Sequence, residues 1–381
     1  MTATRVHGTF SIPSLDGVRA IAVLIVFVGH GATAPGLWPG HVGVTVFFFL
    51  SGYLITTLLR RERERTGRIA LSRFYLRRLL RITPPALIAI VLCVVVGAAG
   101  LLPATTTGWG VLAEVFNYTN YYLVVAGRDG LPPESSMLWS LAVEEHFYLI
   151  FPAALILLLW RRLTYRRIAF VLIAAAVAVL VWRVVLFFVL DASFFRLYVS
   201  TDTRFDGLIL GAALALAWNP ALGDRPPFGL RADTMGKVLA PIAVVVFAVT
   251  AVLPDSLRLT FADSIQYACL VPIFWLIITR PESAIGRVLN HPVAVRLGVL
   301  SFSIYLVHRL VLGLVAEIVP VAPLVDIVSL ALTIALAELI FRAVEQPAAR
   351  LRKRLESDGR GRAGRKDEVP PLDRSGDRAG L

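Results

Sequence analysis

Charge is scarce in this chain. Of its 381 residues, 17% are charged and 57% are hydrophobic, and the mean hydropathy is +0.73. Soluble domains carry more charge than this. The composition therefore excludes a pair of soluble domains and indicates one continuous membrane bundle. Cysteine is nearly absent: Cys93 and Cys269 both lie in apolar runs. That leaves no disulfide framework and no metal-ligand spacing, and reads both as small buried hydrophobes. No internal repeat with a period of roughly 20 to 50 residues is evident. No serine or cysteine stands in a recognisable nucleophile elbow. The formal charge of +12 does not point to nucleic acid, because the excess arginine lies in short loops and a tail rather than on a folded basic face.

What is abundant is apolar sequence. Ten stretches are long enough, or nearly so, to cross a bilayer: approximately 18–35, 42–59, 84–102, 139–160, 168–190, 205–219, 236–253, 262–279, 298–319 and 322–343. The expected fold is all-α, a polytopic helical bundle of about ten transmembrane helices over residues 1–347. Residues 348–381, with almost no apolar content beyond about 351, are expected as a disordered basic tail. Arg5, an apolar run and Ala32-Thr33-Ala34 imitate a cleaved secretory signal. Cleavage would remove the most unusual chemistry of the region, so the stretch is read as a retained helix. The loop RRERERTGRIALSRFYLRRLLR carries nine arginines, and Arg161, Arg162, Arg166 and Arg167 follow the fourth span. With alternating spans these loops share one side. The excess of positive charge there predicts cytoplasmic termini in a multi-pass cell-membrane protein.

The first span, LDGVRAIAVLIVFVGH, holds Arg19 and His30. Eleven residues separate them, roughly 16 Å along a helix and close to three turns, so both lie near one face. Ionisable groups within a span usually face the bundle interior and mark a functional pathway; a lipid-interface arginine and a hydrogen-bonded core histidine are the plainer alternative. LWSLAVEEHFYL opens the fourth span and brings Glu144 and Glu145 to a comparable depth. Adjacent helical residues point about 100° apart, so one of the two faces His30. Capping the helix N-terminus is the other reading of the pair. A histidine beside a carboxylate is a general-base arrangement. Arg73, Arg77, Arg78 and Arg81 recur at helical spacing in RFYLRRLLRITPP. They offer either a phosphate-binding face or plain topological charge. Pro84 and Pro85 suit a helix start or break. Ser51 in FFFLSGYL, Asp206 in RFDGLILG, and Tyr305 and His308 in SFSIYLVH are lesser candidates for lining a substrate site. Glu345 in FRAVEQP is a candidate partner for the arginines.

Taken in order, LDGVRAIAVLIVFVGH, FFFLSGYL, RFYLRRLLRITPP, LWSLAVEEHFYLIFP, RFDGLILG, SFSIYLVH and VEQP resemble the acyltransferase-3 family of integral membrane O-acyltransferases. The resemblance extends from Leu15 to about Pro347. It implies a ten-helix transferase domain with no bound cofactor, acyl-coenzyme A as the donor substrate from the cytoplasm, and acetyl as the default acyl group. The implied acceptor is an extracytoplasmic or membrane-embedded hydroxyl compound: a cell-envelope glycan, a glycolipid or a secreted natural product. His30 is the implied catalytic residue and Arg19 its partner in the motif. Glu144 matches the family acid in Trp-Ser-Leu-x-x-Glu better than Glu145 does. Some members carry a soluble hydrolase-like domain after the helices; without one, a second transfer step is expected to need another protein. The same buried His, Glu and Arg groups also suit a proton-coupled transporter or flippase, against which stands the lack of an inverted repeat. A non-catalytic membrane partner is the third reading.

Overall fold

Lipid offers no partner to backbone N–H and C=O groups, so apolar stretches that cross a bilayer satisfy them internally as helices. The computed structural model describes residues 5, 6, 9, 10, 12, 14–33 and 39–355. A two-residue antiparallel pair, Arg5–Val6 with Thr9–Phe10, precedes the helices. These are α1 (Leu15–Gly29), α2 (His41–Thr66), α3 (Leu71–Ala98), α4 (Gly108–Val115), α5 (Thr119–Ala126), α6 (Trp139–Trp160) and α7 (Tyr165–Phe188). They continue with α8 (Phe194–Val199), α9 (Thr201–Ala217), α10 (Ala240–Ala251), α11 (Asp263–Thr279), α12 (Ala284–Leu289), α13 (Pro292–Ala316) and α14 (Ala322–Ile340). Among the described residues, 9 helical stretches are long and apolar enough to cross a membrane. α1, at 15 residues, is shorter than these, so nine rather than the expected ten stretches reach that length among the described residues. The architecture is the expected all-α polytopic bundle.

Several boundaries differ from expectation. The third span starts at Leu71 rather than near 84, so Pro84 and Pro85 lie inside α3; neighbouring helices make internal prolines tolerable in membrane helices. The sixth span, read as 205–219, is part of a longer stretch from Phe194 to Leu222. α14 does not stop at Pro347. It passes through a π-helical turn, Phe341–Glu345, and continues to Leu355, so the start of the expected tail is helical. Residues 356–381, and Ala34 of the cleavage-site pattern, lie outside the described residues. α1 ends earlier than expected. Its last turn is followed by Ala32 and Thr33, whose backbone N–H groups donate to the Asp326 carboxylate at 2.6 and 3.0 Å.

Glycines set the closest helix approaches. A Cβ on Gly52 would overlap the Leu208 carbonyl, and one on Gly211 would overlap the Phe49 carbonyl, so α2 and α9 touch backbone to backbone. Membrane helices associate through such small-residue contacts, because lipid tails remove most of the hydrophobic drive between apolar faces. Behind this seam lies a buried ionic cluster joining α2, α7, α9 and α11. Arg183 and Asp206 pair at 2.6 Å with neither side chain exposed. Ser264 donates to the same carboxylate at 2.6 Å. Arg204 pairs with Asp263, which also accepts from Thr45 at 3.3 Å.

The segment between α3 and α6 folds back as α4 and α5, outside the membrane-spanning helices. Here Glu114 is 3% exposed, and burial pushes its carboxyl up to about 8. The folded chain holds this proton more tightly than the unfolded one, so stability falls as pH rises from the ordinary carboxylate range through about 8. Glu114→Gln should flatten that slope and raise thermal stability above pH 8, read by unfolding the detergent-solubilised chain across pH. An unchanged slope would remove Glu114 as its origin. Gly211→Leu should break the α2–α9 seam and lower folded yield, read by size-exclusion of the solubilised protein.

Candidate functional site

A cavity of about 420 Å³ opens between α1, α2, α3, α6 and α13. α1 contributes Asp16 and Arg19, and α3 contributes Arg78 and Arg81. Ser51, Glu144 and Tyr305 line it further in. Three guanidinium groups thus surround one space. Arg19 lies 3.7 Å from Asp16. Arg78 stacks on Tyr148 at 5.2 Å and Phe74 at 5.8 Å from the ring centroids. Neither Arg78 nor Arg81 has a carboxylate within salt-bridge distance among the described residues, so both guanidinium groups are available to an anionic ligand.

The arginine motif therefore divides by helical face. Arg78 and Arg81 line the cavity; Arg73 does not. Arg77 turns away and pairs with Glu62 at 3.0 Å. Of the four arginines offered as a phosphate-binding face, Arg78 and Arg81 line the cavity and Arg73 and Arg77 do not; the roughly 100° step between neighbours separates Arg77 from Arg78. Asp206 is likewise absent from the cavity, since its carboxylate is held by Arg183 and Ser264. Arg183, a lone arginine in an apolar run, matches no motif; the cost of an unpaired intramembrane charge is the one signal of it that the sequence carries.

Glu144 sits where its side chain meets two helices. It accepts from Ser51 at 3.1 Å and from Tyr148 at 2.8 Å. Neither Glu144 nor Glu145 lies in the first turn of α6, so neither caps it. Glu144 does not hydrogen-bond His30, contrary to the expected pairing. The partner of His30 is His308: His308 Nε2 and His30 Nδ1 are 3.1 Å apart. Depth along a helix was readable from the sequence, but which neighbour shares that depth was not. Glu345 also differs from expectation, accepting from Ser303 at 2.6 Å.

The histidine pair has a defined proton pattern, assigned from its partners. His308 Nδ1 lies 2.7 Å from the Tyr305 carbonyl, so that nitrogen carries the hydrogen in a neutral ring. Its Nε2 then accepts, and His30 Nδ1 donates. His30 Nε2 is left with a free lone pair, the form a general base needs. His308 is 1% exposed, whereas His30 is exposed at the end of α1. Between the pair and the cavity stands Tyr305, one helical turn before His308. Its hydroxyl donates to the Met137 carbonyl at 3.0 Å and lies 2.6 Å from Ser140 Oγ.

Residues 12–342 match the family described as "Acyltransferase domain". The chain belongs to the acyltransferase-3 family. It is 32% identical over 353 residues to a protein of Staphylococcus aureus strain COL named "Putative O-acetyltransferase", a match covering 88% of this chain and 57% of that protein. It is 31% identical over 357 residues to O-acetyltransferase OatA of Staphylococcus aureus strain NCTC 8325, with the same two coverages, 88% and 57%. The chain thus spans little more than half the length of these relatives. No solved structure matches it. The cavity and the histidine pair are the two features of the structure that bear on chemistry.

Asp206→Asn tests whether this aspartate is scaffold. Removing one member of a buried ion pair leaves the other charge uncompensated and costs about 3–5 kcal/mol. The variant should lose thermal stability, read by unfolding the detergent-solubilised protein. Unchanged stability would remove Asp206 from the scaffold.

Proposed function

We propose that the chain moves an acyl group, acetyl by default, from acyl-coenzyme A on the cytoplasmic side to a hydroxyl of an extracytoplasmic or membrane-embedded acceptor. The observation that carries this reading is the two-ended arrangement: a cavity with Arg19, Arg78 and Arg81 on one side of Tyr305, and the His30–His308 pair on the other. A phosphate-rich head with a long flexible thioester arm suits such a path. The arginines hold the phosphates, and the arm carries the acyl carbon inward. The arginine-rich loops, and with them both termini, face the cytoplasm in this reading. The relatives' name, O-acetyltransferase, supports acetyl as the group moved.

The chemistry balances as a single displacement. His30 Nε2 takes the proton of the acceptor hydroxyl as its oxygen attacks the thioester carbonyl. The C–S bond breaks, the ester forms, and the proton passes to the leaving thiolate. His308 holds His30 in the tautomer that exposes this lone pair. Glu144, held by Ser51 and Tyr148, sets a fixed hydrogen-bond acceptor in the cavity wall beside the arginines.

Arg78→Ala combined with Arg81→Ala should raise the apparent Kd for acyl-coenzyme A by at least about 100-fold, from two charge-assisted bonds of about 1.5–3 kcal/mol each. Titration calorimetry on detergent-purified protein reads it. His30→Ala should leave insertion and thermal stability intact and cut acyl transfer roughly 10²–10⁴-fold. Wild-type transfer in membranes carrying His30→Ala would overturn the mechanism. Absence of any acyl-coenzyme A turnover by the wild type would favour a transporter.

A further inference from the structure

The route from the arginines to the histidines is closed in this structure. Ser140 and Tyr305 line the cavity that holds Arg19, Arg78 and Arg81, but neither His30 nor His308 does. Tyr305 stands at the junction. Its carbonyl lies 2.7 Å from His308 Nδ1. Its ring centroid is 5.6 Å from that of His308 and 6.3 Å from that of Phe47, which meets it edge-on. Tyr305 therefore both lines the cavity and touches the histidine pair. Behind it Phe27 packs on His308 at 6.4 Å between ring centroids, and both are buried. No further opening is left beside the ring for a thioester arm to reach His30.

The ring is latched rather than merely packed. From α13 it crosses to the turn before α6 and the first residues of α6. There its hydroxyl donates to the Met137 carbonyl at 3.0 Å and lies 2.6 Å from Ser140 Oγ. The latch can open without orphaning its partners. Ser140 Oγ also lies 3.3 Å from the Met137 carbonyl, so these two groups still satisfy one another when the tyrosine leaves. That removes the main cost of breaking a buried hydrogen bond, which is the unpaired group left behind. The freed hydroxyl turns toward about 420 Å³ of open cavity, large enough to hold water that replaces its lost partners. An aromatic side chain in a helix occupies chiefly two χ1 wells. The ring thus has two discrete positions rather than a continuum.

We propose that Tyr305 is a latched gate between the donor cavity and the histidine pair, and that the thioester end of the donor reaches His30 only when this side chain swings aside. Tyr305 is a positioning residue in this role; it forms and breaks no covalent bond. The inference rests on the donor reading of the cavity and adds a conformational step to it.

A ligand that needs the open gate binds more weakly by the fraction of open molecules, whereas a ligand confined to the arginine end does not. Two probes separate these cases by titration calorimetry on the full chain in lipid nanodiscs. 3′-Phosphoadenosine 5′-diphosphate carries the phosphate-rich head alone. S-Acetonyl-coenzyme A carries head and arm, and a methylene between its sulfur and carbonyl prevents turnover. Tyr305→Phe keeps the ring and deletes the latch. It should tighten the arm-bearing probe about 2- to 10-fold, the equivalent of one net hydrogen bond, and leave the affinity of the head unchanged. Ser140→Ala, which leaves the tyrosine its bond to the Met137 carbonyl, should shift the same ratio in the same direction by less, and it carries the test if Tyr305→Phe fails to fold. An unchanged ratio, an equal change for both probes, or weaker binding of the arm-bearing probe would overturn the gate while leaving the donor site standing. Binding of neither probe by wild type would overturn the donor reading, and the gate with it.

Discussion

The arrangement depends on backbone touching backbone inside the membrane. Where α2 meets α9, Gly52 and Gly211 bring two main chains together; where α1 meets α13, Gly298 does the same against the Asp16 carbonyl. These seams are short-range and directional, unlike general apolar packing, and they leave little freedom in rotation. Ser51 is the neighbour of Gly52, so the α2–α9 seam fixes which way Ser51 points, and with it the hydrogen bond to Glu144. Asp16 lies one turn before Arg19, so the α1–α13 seam fixes Arg19 against the cavity. Three of the polar groups lining that space are thus oriented by glycines that never touch it.

The buried ionic cluster plays a complementary part. Arg204 stacks against Phe48 at 5.7 Å and Trp139 at 5.9 Å, and Phe48 lines the cavity. The cluster therefore stands one aromatic layer behind the wall. Paired charge in a low-dielectric interior adds little net stability, but breaking a pair is costly. Such a cluster selects one arrangement of four helices against others of similar apolar packing.

Much of this was legible in the sequence. Apolar runs located the helices, and the ordered motifs brought Arg19, Ser51, Arg78, Arg81, Glu144 and Tyr305 to what proved to be one cavity. What hydropathy and spacing record is height along each helix. They do not record which face meets which neighbour. That is why His30 was matched with Glu144, at a suitable height, rather than with His308, which shares its seam. It is also why Arg77 and Arg78 were not separated. Pro84 and Pro85 misled for a different reason: their helix-breaking tendency is a local property, and a packed bundle overrides it.

The hydrogen-bonded knot of Tyr305, Ser140 and Met137 has a mechanical consequence. It ties α13 to the start of α6. Tyr305 lines the cavity, and its carbonyl lies 2.7 Å from His308 Nδ1. A shift of α13 against α6 would therefore move the cavity wall and the histidine pair as one body.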